Sequence, residues 1–108
     1  MMKANQYEVY IVNLDPTVGA EIKKTRPCVI ISPDEMNRYL DTIVIAPITS
    51  RSKKYPTRVE IQLEGDLNYV VIDQIRTIDK SRLIKLVSRL SQPEIRELKR
   101  VVREAFVD

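Results

Sequence analysis

Short apolar segments rich in β-branched residues recur along the chain and restrict it to a mostly β fold. Residues 7–14 alternate polar and apolar side chains, which is typical of a half-buried strand. Further segments with strand character are 29–31, 42–48, 57–63, 69–73 and 84–87. Because strands this short cannot bury their faces alone, we predict a small, mostly antiparallel barrel, formed by a single domain over residues 1–108.

Two helix-start signals follow apolar segments. Ser32 and Ser91 are each followed by a proline within two residues and by a glutamate three positions later, which is the pattern of a capping box. The first signal predicts a short helix over Pro33–Leu40. The second predicts a C-terminal helix, because apolar residues then recur at helical spacing at Ile95, Leu98, Val101, Val102, Ala105 and Phe106. We expect this helix to pack on the barrel and to turn its basic face to solvent.

The composition excludes several kinds of site. The chain has no histidine, so it cannot form a Ser-His-Asp or Cys-His triad or a His-ligated zinc site. Its two glycines, Gly19 and Gly65, cannot form a GxGxxG or Walker loop. Cys28 is the one cysteine and has apolar neighbours, which predicts a buried thiol without a disulfide or CxxC site. Any catalysis must therefore use Arg, Lys, carboxylates and hydroxyls.

Net charge and hydropathy give weaker information. The net charge is +3 and the pI about 9.1, which is too little to indicate nucleic-acid binding without its placement. No apolar run approaches the length of a membrane span, and residues 1–6 lack the apolar core of a signal peptide. We expect a cytoplasmic protein that does not enter a membrane.

Two segments concentrate cations. The first basic loop is residues 21–27 (EIKKTRP), and the second basic loop is residues 51–58 (RSKKYPTR), which has four basic residues and no acid around Tyr55. Basic side chains beside an exposed ring suit single-stranded nucleic acid, because the charges follow the backbone and the ring stacks on a base. A solvated loop without a ligand is the alternative.

Arg26 differs from the other arginines in its setting. It precedes Pro27 and an apolar segment, so its backbone is held extended. A fixed guanidinium can stabilise the negative charge of a phosphorane through two hydrogen bonds. A structural ion pair with a nearby carboxylate such as Glu21 is the alternative.

Hydroxyl and amide groups follow two other apolar segments. Thr49 and Ser50 end the segment 42–48, where their hydroxyls can bind phosphate oxygens, although such residues are also common at strand ends. Residues 73–77 (DQIRT) place polar groups directly after the segment 69–73. An internal hydrogen-bond network is the alternative there.

Three motifs in order resemble the MazF/PemK family of bacterial toxins. They are VNLDPTVGAE at 12–21 with KTRP at 24–27, APITS at 46–50, and DQIRTID at 73–79. The resemblance covers nearly the whole chain and implies a small SH3-like barrel with a C-terminal helix. It also implies a homodimeric, sequence-specific endoribonuclease that needs no metal or cofactor. In that reaction the 2′-OH of single-stranded RNA attacks the adjacent phosphate and leaves 2′,3′-cyclic phosphate and 5′-OH ends.

The resemblance also assigns roles to residues. Arg26 would be the main catalytic residue, which assists proton transfer and stabilises the phosphorane. Thr49 would hold a phosphate oxygen, and Glu21 would orient Arg26 or remove a proton. Because the guanidinium is a poor base at neutral pH, the electrostatic role of Arg26 is favoured over its role in proton transfer. The residues that we expect to contact RNA are Gly19, Lys24, Asn37, Ser50, Lys53, Lys54, Tyr55, Arg58 and Gln74.

The chain departs from some members of this family at two positions. Ala20 stands where some members have a histidine, and Val71 stands where some have an arginine. Both differences count against a mechanism in which His, Arg and Asp act together, so Asp73 is a weak catalytic candidate.

The family implies a partner as well, an antitoxin whose acidic, disordered tail covers the basic loops. Two alternative functions stay open at this point. One is a gyrase poison of the CcdB type, which the absence of tryptophan disfavours. The other is an RNA-binding module without catalytic activity.

Overall fold

The computed structural model describes residues 3–107 and contains a seven-stranded sheet, two α-helices and two 3-10 helices within that range. Met1, Met2 and Asp108, which entered the predicted domain and the signal-peptide argument, lie outside the described residues. The strands are β1 (Glu8–Asn13), β2 (Thr25–Ile30), β3 (Thr42–Thr49), β4 (Arg58–Leu63), β5 (Asp66–Val71), β6 (Arg76–Asp79) and β7 (Leu83–Arg89). The helices are α1 (Asp34–Tyr39), α2 (Gln92–Phe106) and the 3-10 helices Ile72–Gln74 and Lys80–Arg82.

The sheet is antiparallel throughout and has the order β4-β5-β3-β2-β1-β7, with β6 paired to β3 beside this path. β3 is therefore the branch point, because its first half pairs with β6 and its last residues pair with β5. The predicted mostly β, antiparallel fold with a C-terminal helix is confirmed.

Both faces of the central strands are buried. Val9, Val29 and Ala46 belong to one core cluster together with the apolar face of α2. Their neighbours Tyr10 and Cys28 belong to a second cluster on the opposite face. A sheet covered on both faces explains why β2 and β3 contain continuous apolar runs instead of alternation.

The predicted start of α2 is confirmed. The Ser91 hydroxyl accepts a hydrogen bond from the Glu94 N–H at 3.3 Å, and the Glu94 carboxylate accepts one from the Ser91 N–H at 2.8 Å. Ile95, Leu98 and Val101 are buried against the sheet. On the outer face, Arg100 forms ion pairs within the helix, including one with Glu104 at 3.0 Å.

The capping box predicted at Ser32 is wrong. The N-cap of α1 is Pro33, whose side chain cannot accept a hydrogen bond. Ser32 is buried, and its hydroxyl binds the Asn37 side chain and accepts a hydrogen bond from the Val44 N–H at 3.0 Å. The Ser32 hydroxyl, which the capping-box pattern assigned to the start of α1, is thus occupied by contacts with Asn37 and Val44.

Two strand starts lie earlier than predicted. β2 begins at Thr25, within the first basic loop, because Asn13 to Val9 pair with Thr25 to Val29 across β1. β5 begins at Asp66 because Glu64 and Gly65 both have positive φ, at 51° and 86°, and form a two-residue hairpin turn. None of the helices among residues 3–107 has both the length and the apolar character to cross a membrane.

Candidate active site

Two hydrogen bonds join the beginning and the end of the loop between β1 and β2. The Asp15 carboxylate accepts a hydrogen bond from the Lys24 N–H at 2.9 Å, and the Leu14 N–H donates to the Lys24 carbonyl at 3.0 Å. Gly19 and Lys24 adopt left-handed backbone conformations, with φ values of 60° and 70°. Glycine does so without steric cost, whereas Lys24 is held there by its two hydrogen bonds. Both predicted RNA-contacting residues are exposed on this closed loop.

Arg26 lies on β2 opposite Val12 and is half-buried. Its Nε donates a hydrogen bond to the Lys23 carbonyl at 3.1 Å, which fixes the direction of the guanidinium. Among residues 3–107, Arg26 takes part in no ion pair. The alternative of a structural pair with Glu21 is therefore not observed, because the Glu21 carboxylate instead accepts the Val18 N–H at 2.5 Å.

A cleft of about 230 Å³ separates the first basic loop from the segment after β5. It is lined by Glu21 and Ile22 of that loop, by residues 73–76, and by Pro47 of β3. The Gln74 Oε1 accepts a hydrogen bond from the Ile22 N–H at 2.8 Å and ties the two walls together. Because the Lys23 carbonyl that holds Arg26 follows Ile22 directly, Arg26 is attached to the same wall as Glu21.

Arg76 is a basic residue of this cleft that was not among the predicted site residues. It is half-buried on β6 and donates a hydrogen bond to the Leu14 carbonyl at 3.2 Å. Burial raises the pKa of the Cys28 thiol to about 12, and the charges of Arg76 and Arg26 oppose this rise. Cys28 is thus a buried, protonated thiol, and the positive charges of Arg76 and Arg26 partly offset the effect of burial on its pKa. The only sequence signal for Arg76 is its position two residues after Gln74.

Thr49 ends β3 two residues after Pro47. Its hydroxyl accepts a hydrogen bond from the Arg51 N–H at 3.1 Å and donates to the Arg51 carbonyl at 3.4 Å. The side chain is 9% exposed, whereas Ser50 is exposed on the turn that follows. Since the donated bond is long, the hydroxyl proton can be redirected to a phosphate oxygen at small cost.

The second basic loop is organised by Arg58. Its Nε and Nη2 donate to the two oxygens of Asp73 at 3.0 and 3.2 Å, and its Nη1 donates to the Ser52 hydroxyl at 2.9 Å. The guanidinium carbon lies 5.3 Å from the centroid of the Tyr55 ring, within the range of a cation–π contact. Lys53 and Lys54 are exposed on the loop, and Lys54 lies 3.5 Å from the Glu60 carboxylate.

Asp73 is ionised and fully engaged in these contacts. Partial burial tends to raise its pKa, but hydrogen bonds from Arg58 and from the Thr57 hydroxyl, the latter at 3.0 Å, hold the pKa below its usual value. The internal hydrogen-bond network that was the alternative for residues 73–77 is present at this carboxylate.

The structure places Asn37 in the core, away from the predicted RNA-contacting surface. It is 4% exposed on α1, and its amide nitrogen donates to the Ser32 carbonyl at 2.9 Å and to the Ala4 carbonyl at 3.4 Å. Its side-chain oxygen accepts a hydrogen bond from the Ser32 hydroxyl. With both polar atoms occupied and buried, this side chain cannot reach a base. The sequence of a short helix does not show whether a polar residue such as Asn37 is buried in the core or exposed to contact RNA.

Solved structures of other proteins share this fold. The protein resembles MazF from Deinococcus radiodurans, with a TM-score of 0.86, 23% identity and coverage of 97% of each chain. It also resembles a MazE–MazF structure from the same organism, with a TM-score of 0.80, 20% identity and coverage of 99% of this chain and 98% of that one. The fold is therefore that of the MazF toxins.

Sequence comparison identifies the family in addition to the fold. Residues 5–106 match the family of PemK-like, MazF-like toxins of type II toxin–antitoxin systems. The chain is 37% identical over 102 residues to an endoribonuclease MazF of Staphylococcus saprophyticus, covering 88% of this chain and 84% of that protein. This protein belongs to the PemK/MazF toxin family.

Proposed function

We propose that the protein is an endoribonuclease toxin that cleaves single-stranded RNA at specific short sequences without a metal ion. The observation that carries the proposal is Arg26, a half-buried guanidinium fixed at Nε beside the cleft and without an ion pair among the described residues. A cation held in this way does not have to reorganise when negative charge develops in front of it. The relative from Staphylococcus saprophyticus is itself named an endoribonuclease.

The reaction is an internal displacement at phosphorus. The 2′-oxygen of one nucleotide forms a bond to the adjacent phosphorus, and the bond from phosphorus to the 5′-oxygen of the next nucleotide breaks. The proton lost by the 2′-OH is balanced by one gained at the departing 5′-oxygen. The products are a 2′,3′-cyclic phosphate and a 5′-OH, and no water, oxidant or metal ion enters the step.

The residues of the site divide this chemistry among them. Arg26 stabilises the phosphorane, and the Thr49 hydroxyl donates to a non-bridging oxygen. Glu21 is the candidate base for the 2′-OH, because it lines the cleft and its carboxylate forms no ion pair with Arg26. Asp73 is unsuited to that role, since Arg58 occupies both of its oxygens.

Comparison of Arg26→Ala with the wild type in EDTA tests this proposal. We expect cleavage of a long single-stranded RNA by the wild type and a loss of about 100-fold or more in the variant, because the phosphorane loses its main stabilising contact. Arg96→Ala, which removes an exposed arginine from the outer face of α2, is the matched control and should retain full activity. Full activity of Arg26→Ala, or cleavage only when a divalent metal is added, would contradict the mechanism.

The RNA would lie across both basic loops. Lys24, Lys53 and Lys54 provide charge for the phosphates, and Tyr55 is 49% exposed and offers a ring for stacking. Gly19 and Ser50 supply exposed backbone and hydroxyl groups, and Gln74 keeps its Nε2 group to donate to a base. Contacts of this kind around the cleft would select the cleaved sequence.

The antitoxin partner is supported by the MazE–MazF structure from Deinococcus radiodurans. An acidic, disordered tail would be attracted to the exposed lysines of the two loops and would compete there with RNA. Such a protein would act in the cytoplasm, where its RNA substrate is translated.

A homodimer is the third part of the proposal. The edge strand β7 exposes two large apolar side chains, Ile84 at 51% and Leu86 at 50%. Apolar side chains on an unpaired edge favour association with another chain. Light scattering should give twice the chain mass of 12.5 kDa, and a monomer at micromolar concentration would contradict this part.

A further inference from the structure

Each of the three guanidinium nitrogens of Arg58 already donates a hydrogen bond within the protein, and the charge of the group is paired with Asp73. Nε and Nη2 form the two-point contact with Asp73, and Nη1 donates to Ser52. One face of the group lies against Tyr55, and the side chain is only 18% exposed. An arginine in this state differs from Lys53, which is exposed and forms no ion pair among the described residues.

Asp73 joins this arrangement to the cleft. It belongs to the 3-10 helix Ile72–Gln74, whose last residue holds the Ile22 N–H of the first basic loop. The backbone contributes to the same connection, because the Ile72 N–H donates to the Thr57 carbonyl at 3.0 Å. The first loop is therefore connected to the second through the hydrogen bond of Ile22 to Gln74, the peptide bond between Gln74 and Asp73, and the hydrogen bonds of Arg58 to Asp73 and Ser52.

We propose that Arg58 and Asp73 are positioning residues that hold the second basic loop, and Tyr55 in particular, at a fixed place relative to the cleft. This inference rests on the proposed function, because the held loop is the one expected to bind RNA. It changes the role of Arg58 from the direct RNA contact expected from the sequence to a support for Tyr55. It also gives Asp73 a role other than proton transfer.

The salt dependence of binding separates support from direct contact. Each phosphate contact on a single strand contributes about 0.7 to the slope of log K against log salt concentration. The probe is a single-stranded oligonucleotide with 2′-O-methyl riboses, which cannot form the cyclic phosphate. We expect Lys53→Gln to reduce the slope by about 0.7, and Arg58→Gln to weaken binding while leaving the slope unchanged. A reduction by Arg58→Gln equal to that of Lys53→Gln would overturn the inference.

Arg58→Lys provides a second comparison, because it keeps the charge and loses the forked geometry. A positioning residue requires the fork, so Arg58→Lys should bind as weakly as Arg58→Gln. Recovery of wild-type affinity in Arg58→Lys would instead indicate a simple cationic contact and would also overturn the inference.

Limited trypsin digestion tests the positioning without RNA. Arg51, Lys53 and Lys54 are cleavage sites within the second basic loop. We expect Arg58→Gln and Asp73→Asn to increase the rate of cutting in this loop several-fold while sites in α2 stay protected, and Lys53→Gln to leave the remaining loop sites at the wild-type rate. Unchanged cutting in both variants would overturn the inference. Failure of the wild type to bind the oligonucleotide at any salt concentration would overturn the proposed function, and the digestion would then decide the positioning role alone.

Discussion

At the scale of single residues, the charged groups around the cleft differ in whether a partner already occupies them. Asp73 and Arg58 neutralise each other, and the Glu21 carboxylate binds only a backbone N–H through one oxygen. Arg26 is fixed through Nε alone. The groups without a charged partner are the ones suited to stabilise a phosphorane or to accept a proton.

Glu21→Gln tests the role of the free carboxylate. The amide oxygen can still accept the Val18 N–H, so the loop should keep its conformation while the base is lost. We expect kcat to fall by about 100-fold or more with little change in KM, the loss typical of removing a general base. Single-turnover cleavage at saturating RNA measures this, with Glu35→Gln on the exposed face of α1 as the control. An unchanged kcat would assign the proton to another group.

The placement of some of these residues could be predicted from the sequence, and the contacts of others could not. Arg26 and Glu21 were expected at one site; Glu21 lines the cleft, and Arg26 is hydrogen-bonded to the Lys23 carbonyl of the same loop. The roles of Asn37 and Arg58 depend on partners distant in sequence, namely Ala4 for Asn37 and Asp73 for Arg58. Local pattern contains no information about such contacts.

At the scale of elements, specific side chains hold the start of α2 and the second basic loop in place: the capping box of Ser91 and Glu94, and the ion pair of Arg58 and Asp73. α2 carries a complete capping box and packs Leu98 into the core, so its position follows from local sequence. The start of β2 does not follow from local sequence, because pairing with β1 extends the strand over the polar residues Thr25 and Arg26. Ser32 shows the same competition, since burial directs its hydroxyl away from the end of α1.

Ser91→Ala should reduce the free energy of unfolding by about 1 kcal/mol, because the Glu94 N–H loses its acceptor. Urea denaturation monitored by circular dichroism measures the change. Ser91→Asp restores an acceptor and should recover most of the loss, whereas Ser88→Ala on exposed β7 should be neutral. Equal stability of Ser91→Ala and the wild type would show that the cap contributes nothing.

The Arg58–Asp73 pair should make stability depend on pH in the acid range. Because the pKa of Asp73 is lowered in the folded protein, the unfolded chain binds more protons, and the contribution is complete above the ordinary value of 3.8 and lost as pH falls below it. The difference in urea midpoint between the wild type and Asp73→Asn should therefore be largest near neutral pH and shrink below pH 3.8. A difference that is constant down to the acid limit would contradict the ion pair.

At the scale of the whole molecule, a sheet buried on both faces holds a small set of exposed basic and hydroxyl groups in a fixed arrangement. The fold class and the C-terminal helix followed from strand-length apolar runs and one capping box, and both are confirmed. The pairing of β3 with both β5 and β6 could not be predicted in this way, because strand pairing depends on residues far apart in the sequence. The absence of histidine leaves arginine, lysine, carboxylate and hydroxyl groups for any catalysis by this chain, and our proposal assigns that chemistry to Arg26, Glu21 and Thr49.

The most direct measurement of this account is the identity of the ends that the purified protein leaves on a long single-stranded RNA in EDTA. We predict 5′-OH ends, which can be ligated only after phosphorylation by a kinase, opposite 2′,3′-cyclic phosphates, at a recurring short sequence. The same preparation carrying Arg26→Ala should leave none of these ends. Ends with 5′-phosphates, or cleavage that requires a divalent metal, would contradict the account.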